Sequence, residues 1–231
     1  MYHHAVTLIC GYRRTGKDSL FHILSSNSRV NLNNSGALGG SLVNLNNPGA
    51  SWIVYKNPNI QHSLSTYPDS NIKYIRTAFA DALKQEVSEQ YNIPINISDS
   101  DKDNKQFTHY KTGELVSARD TYIEWGQIRR SQNLNYWCAA AFKPIPNEPN
   151  INCVVTDWRF PNELSYTKSH CNRVITARVY RSAVPEPPMS EISEHSLDSY
   201  ATDFLLVIDG EFDLAVARFP QYSGYVMCEY L

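Results

Sequence analysis

Short apolar runs alternate along this chain with stretches whose apolar positions recur at helical spacing. Ala5 to Cys10 is the first run, closed by Gly11, and reads as a buried strand. Lys17 to Leu24 follows with Leu20, Ile23 and Leu24 on one helical face. The chain therefore opens strand, glycine turn, helix. Ile72 to Arg76 reads as a second core strand, and Phe79 to Tyr91 as a helix with a stripe at Phe79, Leu83 and Val87. Ile93 to Glu114 is polar and loop-like. Arg119 to Arg130 and Leu134 to Phe142 read as two helices, broken at Ser131 to Asn133. Ile151 to Thr156 is a strand ending at Asp157, and Pro161 suits the first turn of a following helix, where its missing N–H removes no bond. Arg173 to Tyr180 is another strand and the proline-rich Ser182 to Ser193 a loop. Phe204 to Ile208 is a last strand and Glu211 to Phe219 a last helix. Strands alternating with helices predict an α/β fold with a largely parallel sheet.

One stretch breaks the rhythm. From Asn27 to about Ser70 the chain is rich in Asn, Ser and Gly, and V-N-L-N-N at Val30 to Asn34 recurs at Val43 to Asn47. Asn and Gly tolerate positive φ and favour turns. Two copies are too few for a solenoid. The stretch reads as an insertion within a single domain covering residues 1–231, with some extended pairing around Ser51 to Tyr55. On this reading, a chain with Asn31 to Pro58 replaced by a short linker still folds, since loop closure depends weakly on length.

Composition narrows the class. The chain has 231 residues, a length suited to one domain with its own core. A formal charge of -2 supplies no general footprint for polymeric nucleic acid, although a local basic groove for a small anion remains open. The five cysteines form no C-x-x-C pair, and their odd number argues against a disulfide framework, which favours reduced thiols and a cytoplasmic setting. No apolar run approaches the roughly 20 residues that span a bilayer. Met1 to Ala5 lacks the features of a signal peptide. A homodimer is left open.

The chemistry concentrates in Gly11 to Ser19, G-Y-R-R-T-G-K-D-S. A P-loop needs Gly, four residues, then Gly-Lys-Ser/Thr, so that backbone N–H groups turn inward around phosphate oxygens at a helix N-terminus. Lys17 would neutralise the transferred phosphoryl group. Gly11, Arg14, Thr15, Gly16, Lys17, Asp18 and Ser19 are the candidate ATP contacts. Asp18 departs from the hydroxyl residue of the general pattern, and Ser19 follows one position late. The second element is V-V-T-D, Val154 to Asp157: an acidic group at a strand end beside a P-loop can hold magnesium directly or through water. Arginines at Arg76, Arg119, Arg129, Arg130, Arg159 and Arg181 offer forks that match phosphate oxygens. Arg129 and Arg130 point in different directions on a helix, so at most one faces a site. His195 in S-E-H-S-L-D reads as structural or part of a lid, since an anionic acceptor oxygen needs no base. His3 and His4 read as surface residues. Tyr122, Trp125, Tyr136 and Trp137 read as core rather than as a nucleobase platform.

These motifs together resemble those of the phage and large-virus deoxynucleoside monophosphate kinases. G-Y-R-R-T-G-K-D-S is similar to their G-x-x-x-S/T-G-K-D-S/T loop, where Asp18 is the family residue. F-A-D-A-L-K (Phe79 to Lys84), the Arg119 to Arg130 helix with Tyr136-Trp137, D-W-R-F-P-N-E (Asp157 to Glu163), S-E-H-S-L-D and V-I-D-G (Val207 to Gly210) resemble further pieces in the same order. The resemblance covers most of the chain outside Asn27 to Ser70. It implies a three-layer P-loop nucleoside-monophosphate-kinase-like fold with a central parallel sheet. It also implies a viral transferase, in the host cytoplasm, that moves phosphate from ATP to a deoxynucleoside monophosphate with magnesium. Asp18, Ser19 and Asp157 are then the expected metal shell. Lys17, Arg119, Arg130 and Arg159 are the expected phosphate-handling residues, with Arg181 on a lid and Val207 to Gly210 bordering adenine. Animal phosphomevalonate kinases share a G-K-D loop. A kinase for another phosphorylated small molecule such as phosphomevalonate, and a non-catalytic nucleotide-binding interaction protein, stay as alternatives.

Overall fold

The computed structural model describes residues 2–25, 43–44, 51–61, 72–109 and 111–228. The V-N-L-N-N repeat falls almost wholly outside the described residues, as do the side chains of His3 and His4. In chain order the elements are β1 (Tyr2–Cys10), α1 (Lys17–Ser25), β2 (Val43–Asn44), β3 (Ser51–Lys56) and β4 (Lys73–Thr77). Next come α2 (Phe79–Tyr91), α3 (Asp99–Asn104), β5 (Gln106–Thr108), β6 (Leu115–Ser117), α4 (Ala118–Gln132) and α5 (Tyr136–Phe142). The chain continues through β7 (Ile151–Val155), α6 (Pro161–His170), β8 (Cys171–Arg181) and α7 (Ile192–His195), and ends with β9 (Phe204–Ile208), α8 (Phe212–Arg218) and β10 (Val226–Met227). They fall into two compact units, Met1–Arg76 with Pro146–Leu231, and Thr77–Ile145.

The first unit is built on a sheet of order β10-β3-β9-β8-β1-β7-β4, with β2 paired to β3. β7, β1, β8 and β9 run parallel, and β3 lies antiparallel to β9. The fold is thus α/β with a mostly parallel central sheet. Side chains alternate across a strand, so β9 feeds two cores. Phe204, Leu206 and Ile208 join Leu20, Ile23 and Leu24 of α1 on one face. Leu205 and Val207 join Ala215 and Phe219, from α8 and the residue after it, on the other. This two-sided burial accounts for the unbroken apolar reading of β7 and β9, which are buried throughout. Pro161 opens α6, and Glu163 accepts hydrogen bonds from the N–H groups of Arg159 (2.8 Å) and Phe160 (3.0 Å), which fixes the turn after β7.

β3 corrects one expectation. The pairing read around Ser51 to Tyr55 is a full strand of the central sheet, and Trp52, Val54 and Tyr55 are buried. Trp52 and Val54 pack into the α1 face, and Tyr55 stacks on Phe212 at 4.1 Å on the α8 face. A linker replacing Asn31 to Pro58 would therefore remove a core strand, because apolar residues inside a turn-rich stretch still seek burial.

The second unit is mainly helical. Ser117 caps α4 by accepting from Asp120 N–H at 3.1 Å, and α2 stops at Asn92 in the left-handed region (φ 56°). Ile93 to Glu114, read as loop, holds the short helix α3 and the strand β5, which pairs with β6. Of the four aromatics read as core, Trp125 and Trp137 are buried, whereas Tyr122 and Tyr136 are only half-buried.

Candidate functional site

Parallel strands end on the same edge of a sheet, and ligands of open α/β folds sit at that edge. Here β1 runs into Gly11, β7 into Thr156 and Asp157, and β9 into Asp209, while β8 ends at Arg181 and is followed by Ser182. Gly11 leaves β1 with φ 139°, and a Cβ there would stand 2.4 Å from the Val179 carbonyl oxygen. Only glycine fits this turn. Arg14 (φ 66°) and Gly16 (φ 100°) complete the reversal into α1. Thr15 is buried and ties the loop to itself, its hydroxyl donating to the Tyr12 carbonyl at 2.8 Å.

Lys17 lies in the first turn of α1 and folds back along the loop. Its Nζ donates to the carbonyl oxygens of Gly11 (2.8 Å) and Tyr12 (2.7 Å). Burial, reinforced by repulsion from Arg159, pushes its pKa from 10.5 down to about 8, while Glu194 and Asp157 pull the other way. The loop after β7 is held close, since Trp158 N–H donates to the Ile9 carbonyl at 3.1 Å. This brings Asp157 and Arg159 into the electrostatic neighbourhood of Lys17.

Asp18 and Ser19 are exposed at the start of α1. Asp18 pairs with Arg76 (Oδ1 to Nε, 2.9 Å) and accepts a bond from the side chain of Thr156. Burial works to raise its pKa, but these partners outweigh it and hold the carboxyl below its ordinary value. Among the described residues no three His, Cys, Asp or Glu side chains converge as a ready metal cage. Magnesium does not require one, because it keeps several waters and takes one or two carboxylates plus substrate phosphates. Hard oxygen donors at Asp18, Ser19 and Asp157, with Asp18 bonded to the residue before Asp157, fit that pattern.

Arg159 donates to Glu194, whose side chain is only 4% exposed. The other Glu194 oxygen accepts from the Arg13 N–H at 2.9 Å, and Glu191 pairs with the Arg13 side chain at 3.2 Å. Arg181 pairs with Asp209 at 3.0 Å and lines a shallow pocket beside the loop with Tyr12, Thr15, Tyr180, Arg218 and Phe219. Val207 to Gly210, read as bordering adenine, are not among the residues that line it. His195 bonds Asp198 (2.7 Å) and the Pro187 carbonyl (3.0 Å), and Asp198 also accepts from Tyr12 Oη at 3.0 Å. Burial disfavours the imidazolium, but Asp198 and Pro187 outweigh it and raise the His195 pKa. His195 therefore pins its segment to Tyr12 of the loop.

Arg119 and Arg130 belong to the second unit. Arg119 pairs bidentately with Asp103, and the Arg130 guanidinium runs along Gly126 of its own helix. Arg129 faces elsewhere: with Trp125 and Tyr136 it donates to Glu86, and its guanidinium lies 5.2 and 5.0 Å from those two rings. The divergence of Arg129 and Arg130 matches the helical argument.

Sequence reasoning missed three groups at the loop edge. Arg76 reads as a phosphate fork, with nothing to mark it as the partner of Asp18. Thr156 reads as the end of a strand, with nothing to mark its bond to Asp18. Glu194 had no signal, since its motif drew attention to His195. Compared with known proteins, the chain matches no family model and no curated protein.

Proposed function

We propose that this chain is a P-loop phosphotransferase that moves phosphate from ATP to a deoxynucleoside monophosphate, on a three-layer nucleoside-monophosphate-kinase-like fold. One observation carries the phosphate-binding half: a glycine-forced turn between a parallel strand and α1 holds Lys17 within the electrostatic influence of Asp157 and Arg159. A helix N-terminus, an ammonium and a guanidinium within electrostatic reach of one another suit a polyanion. Phosphoryl transfer asks for positioning and charge neutralisation more than covalent chemistry, and these residues supply both. Lys17 would leave the Gly11 and Tyr12 carbonyls to meet phosphate oxygens. Asp18, Ser19 and Asp157 would hold magnesium, which when bound neutralises charge on the phosphates. Arg181 and the pocket beside Thr15 would take the sugar side of the donor. The acceptor assignment, with Arg119 and Arg130 as phosphate contacts, rests on the resemblance of D-W-R-F-P-N-E and the Arg119 to Trp137 series.

The test is ADP release, coupled to a reporter reaction, across a panel of deoxynucleoside monophosphates with phosphomevalonate included. We expect turnover with at least one deoxynucleotide, none with phosphomevalonate, and loss of nearly all turnover in Lys17→Ala. Preference for phosphomevalonate would overturn the acceptor. ATP-independent behaviour throughout, with no nucleotide bound, would overturn the phosphotransferase.

A further inference from the structure

We propose that Glu194 is an internal stand-in for a ligand phosphate, its carboxylate filling an oxyanion subsite made by the Arg13 N–H and the Arg159 guanidinium. The inference rests on the phosphate-binding reading of the loop and adds to it both the location of one subsite and a contact that closes it. Three observations meet here. A P-loop amide, the Arg13 N–H, is spent on a side-chain carboxylate at 2.9 Å rather than turned to solvent. The same carboxylate accepts from Nη1 of Arg159, the arginine whose charge acts on Lys17. Its side chain is also sequestered, only 4% exposed. A buried carboxylate is tolerated only where charge-assisted bonds replace water, and these two are the kind a phosphate oxygen would make.

The segment carrying Glu194 is fastened to the loop on both sides. Glu191 takes the Arg13 side chain, and His195 and Tyr12 share Asp198. A phosphoryl oxygen can reach the Arg13 N–H and Arg159 only if Glu194 withdraws, and that withdrawal breaks two charge-assisted bonds. Affinity for a phosphate ligand is then lowered by the fraction of molecules in which the contact is open. If the contact is closed in nine molecules of ten, removing it raises affinity about tenfold. A purely structural role for Glu194 predicts the opposite sign, because a loop that loses its brace binds phosphate more weakly.

The experiment measures inorganic pyrophosphate binding by calorimetry to the full chain, to Glu194→Ala and to the isosteric Glu194→Gln, with circular dichroism as the check on folding. We expect Glu194→Ala to bind about tenfold tighter or more. Glu194→Gln should fall between, since its amide can still accept from Arg13 N–H but has no charge for Arg159. Adding Lys17→Ala to either variant should remove the gain. Equal or weaker binding in a folded Glu194→Gln protein overturns the stand-in while pyrophosphate binding by the parent leaves the P-loop reading intact. No pyrophosphate binding by any of the folded proteins overturns both.

Discussion

Replacing Lys17 with methionine should change how stability responds to pH. In the folded chain the Lys17 ammonium is largely desolvated, with a pKa of about 8 against an ordinary 10.5. That gap corresponds to about 3 kcal/mol held against the folded state while the group is charged, and the partial exposure of the side chain trims it toward about 2. The sign follows from proton counts. Between pH 8 and 10.5 the unfolded chain keeps the Lys17 proton and the folded chain has released it, so this group makes stability rise with pH. Other groups act oppositely. Burial pushes the thiols of Cys10, Cys153 and Cys228 up and that of Cys171 to about 11, so they favour folding near neutral pH and lose that contribution as pH climbs past about 9. Raw stability therefore mixes both trends, and only the difference between parent and Lys17→Met isolates the lysine. Urea unfolding at steps from pH 7 to 10 should show the parent gaining about 2 kcal/mol on the variant across that range. A difference that stays flat to within about 0.5 kcal/mol would refute the half-buried, desolvated placement of Lys17. The same titration bears on ligand binding. If ADP needs the ammonium, its affinity for the parent should fall up to about tenfold for each pH unit above 8.

Two further outcomes test the scaffold of the site. Gly11→Ala sets a Cβ against the Val179 carbonyl in a backbone conformation with φ 139°, and should lower stability by about 2–4 kcal/mol in thermal or urea unfolding; an unchanged midpoint would mean the turn is not as described. Trp52→Ala empties part of the α1-side core and should cost about 3–5 kcal/mol, while replacement of residues 31–58 should abolish folding, read by loss of the cooperative transition.

What could be read from the sequence followed from local rules. β7 and β9 are covered on both faces, which leaves short unbroken apolar runs, and α1 shows its Leu20, Ile23, Leu24 stripe because only one side is buried. The loop was legible because its chemistry is contiguous: glycine turn, lysine and helix start lie within nine residues. β3 was weaker as a signal, since Trp52 to Tyr55 form a four-residue apolar run inside Asn- and Gly-rich sequence, and its place between β10 and β9 is a long-range pairing. Glu194 was invisible for a stronger reason. Its partners stand 181 and 35 residues away in the chain, and nothing in S-E-H-S-L-D distinguishes a carboxylate that faces a loop amide from one that faces solvent.

The charges at the loop edge are matched by protein groups: Lys17 by two carbonyls, Arg159 by Glu194, Arg13 by Glu191, Asp18 by Arg76, Arg181 by Asp209. Phosphate binding at such an edge is an exchange, in which each new contact replaces one that already exists. Its free energy is a difference between similar terms, so deleting a cation and deleting its counter-group have opposite consequences. If the loop binds phosphate as proposed, loss of Lys17 removes attraction for it while relieving a desolvated charge. Loss of Glu194 leaves the cation Arg159 in place, short of a partner, and costs stability while favouring any phosphate oxygen that can serve instead. Stability and phosphate affinity should therefore move in opposite directions in both variants. An inert glycine turn, with a lysine that serves only to hold its own loop, gives no such relation: there, loss of Lys17 lowers stability and leaves phosphate affinity unchanged.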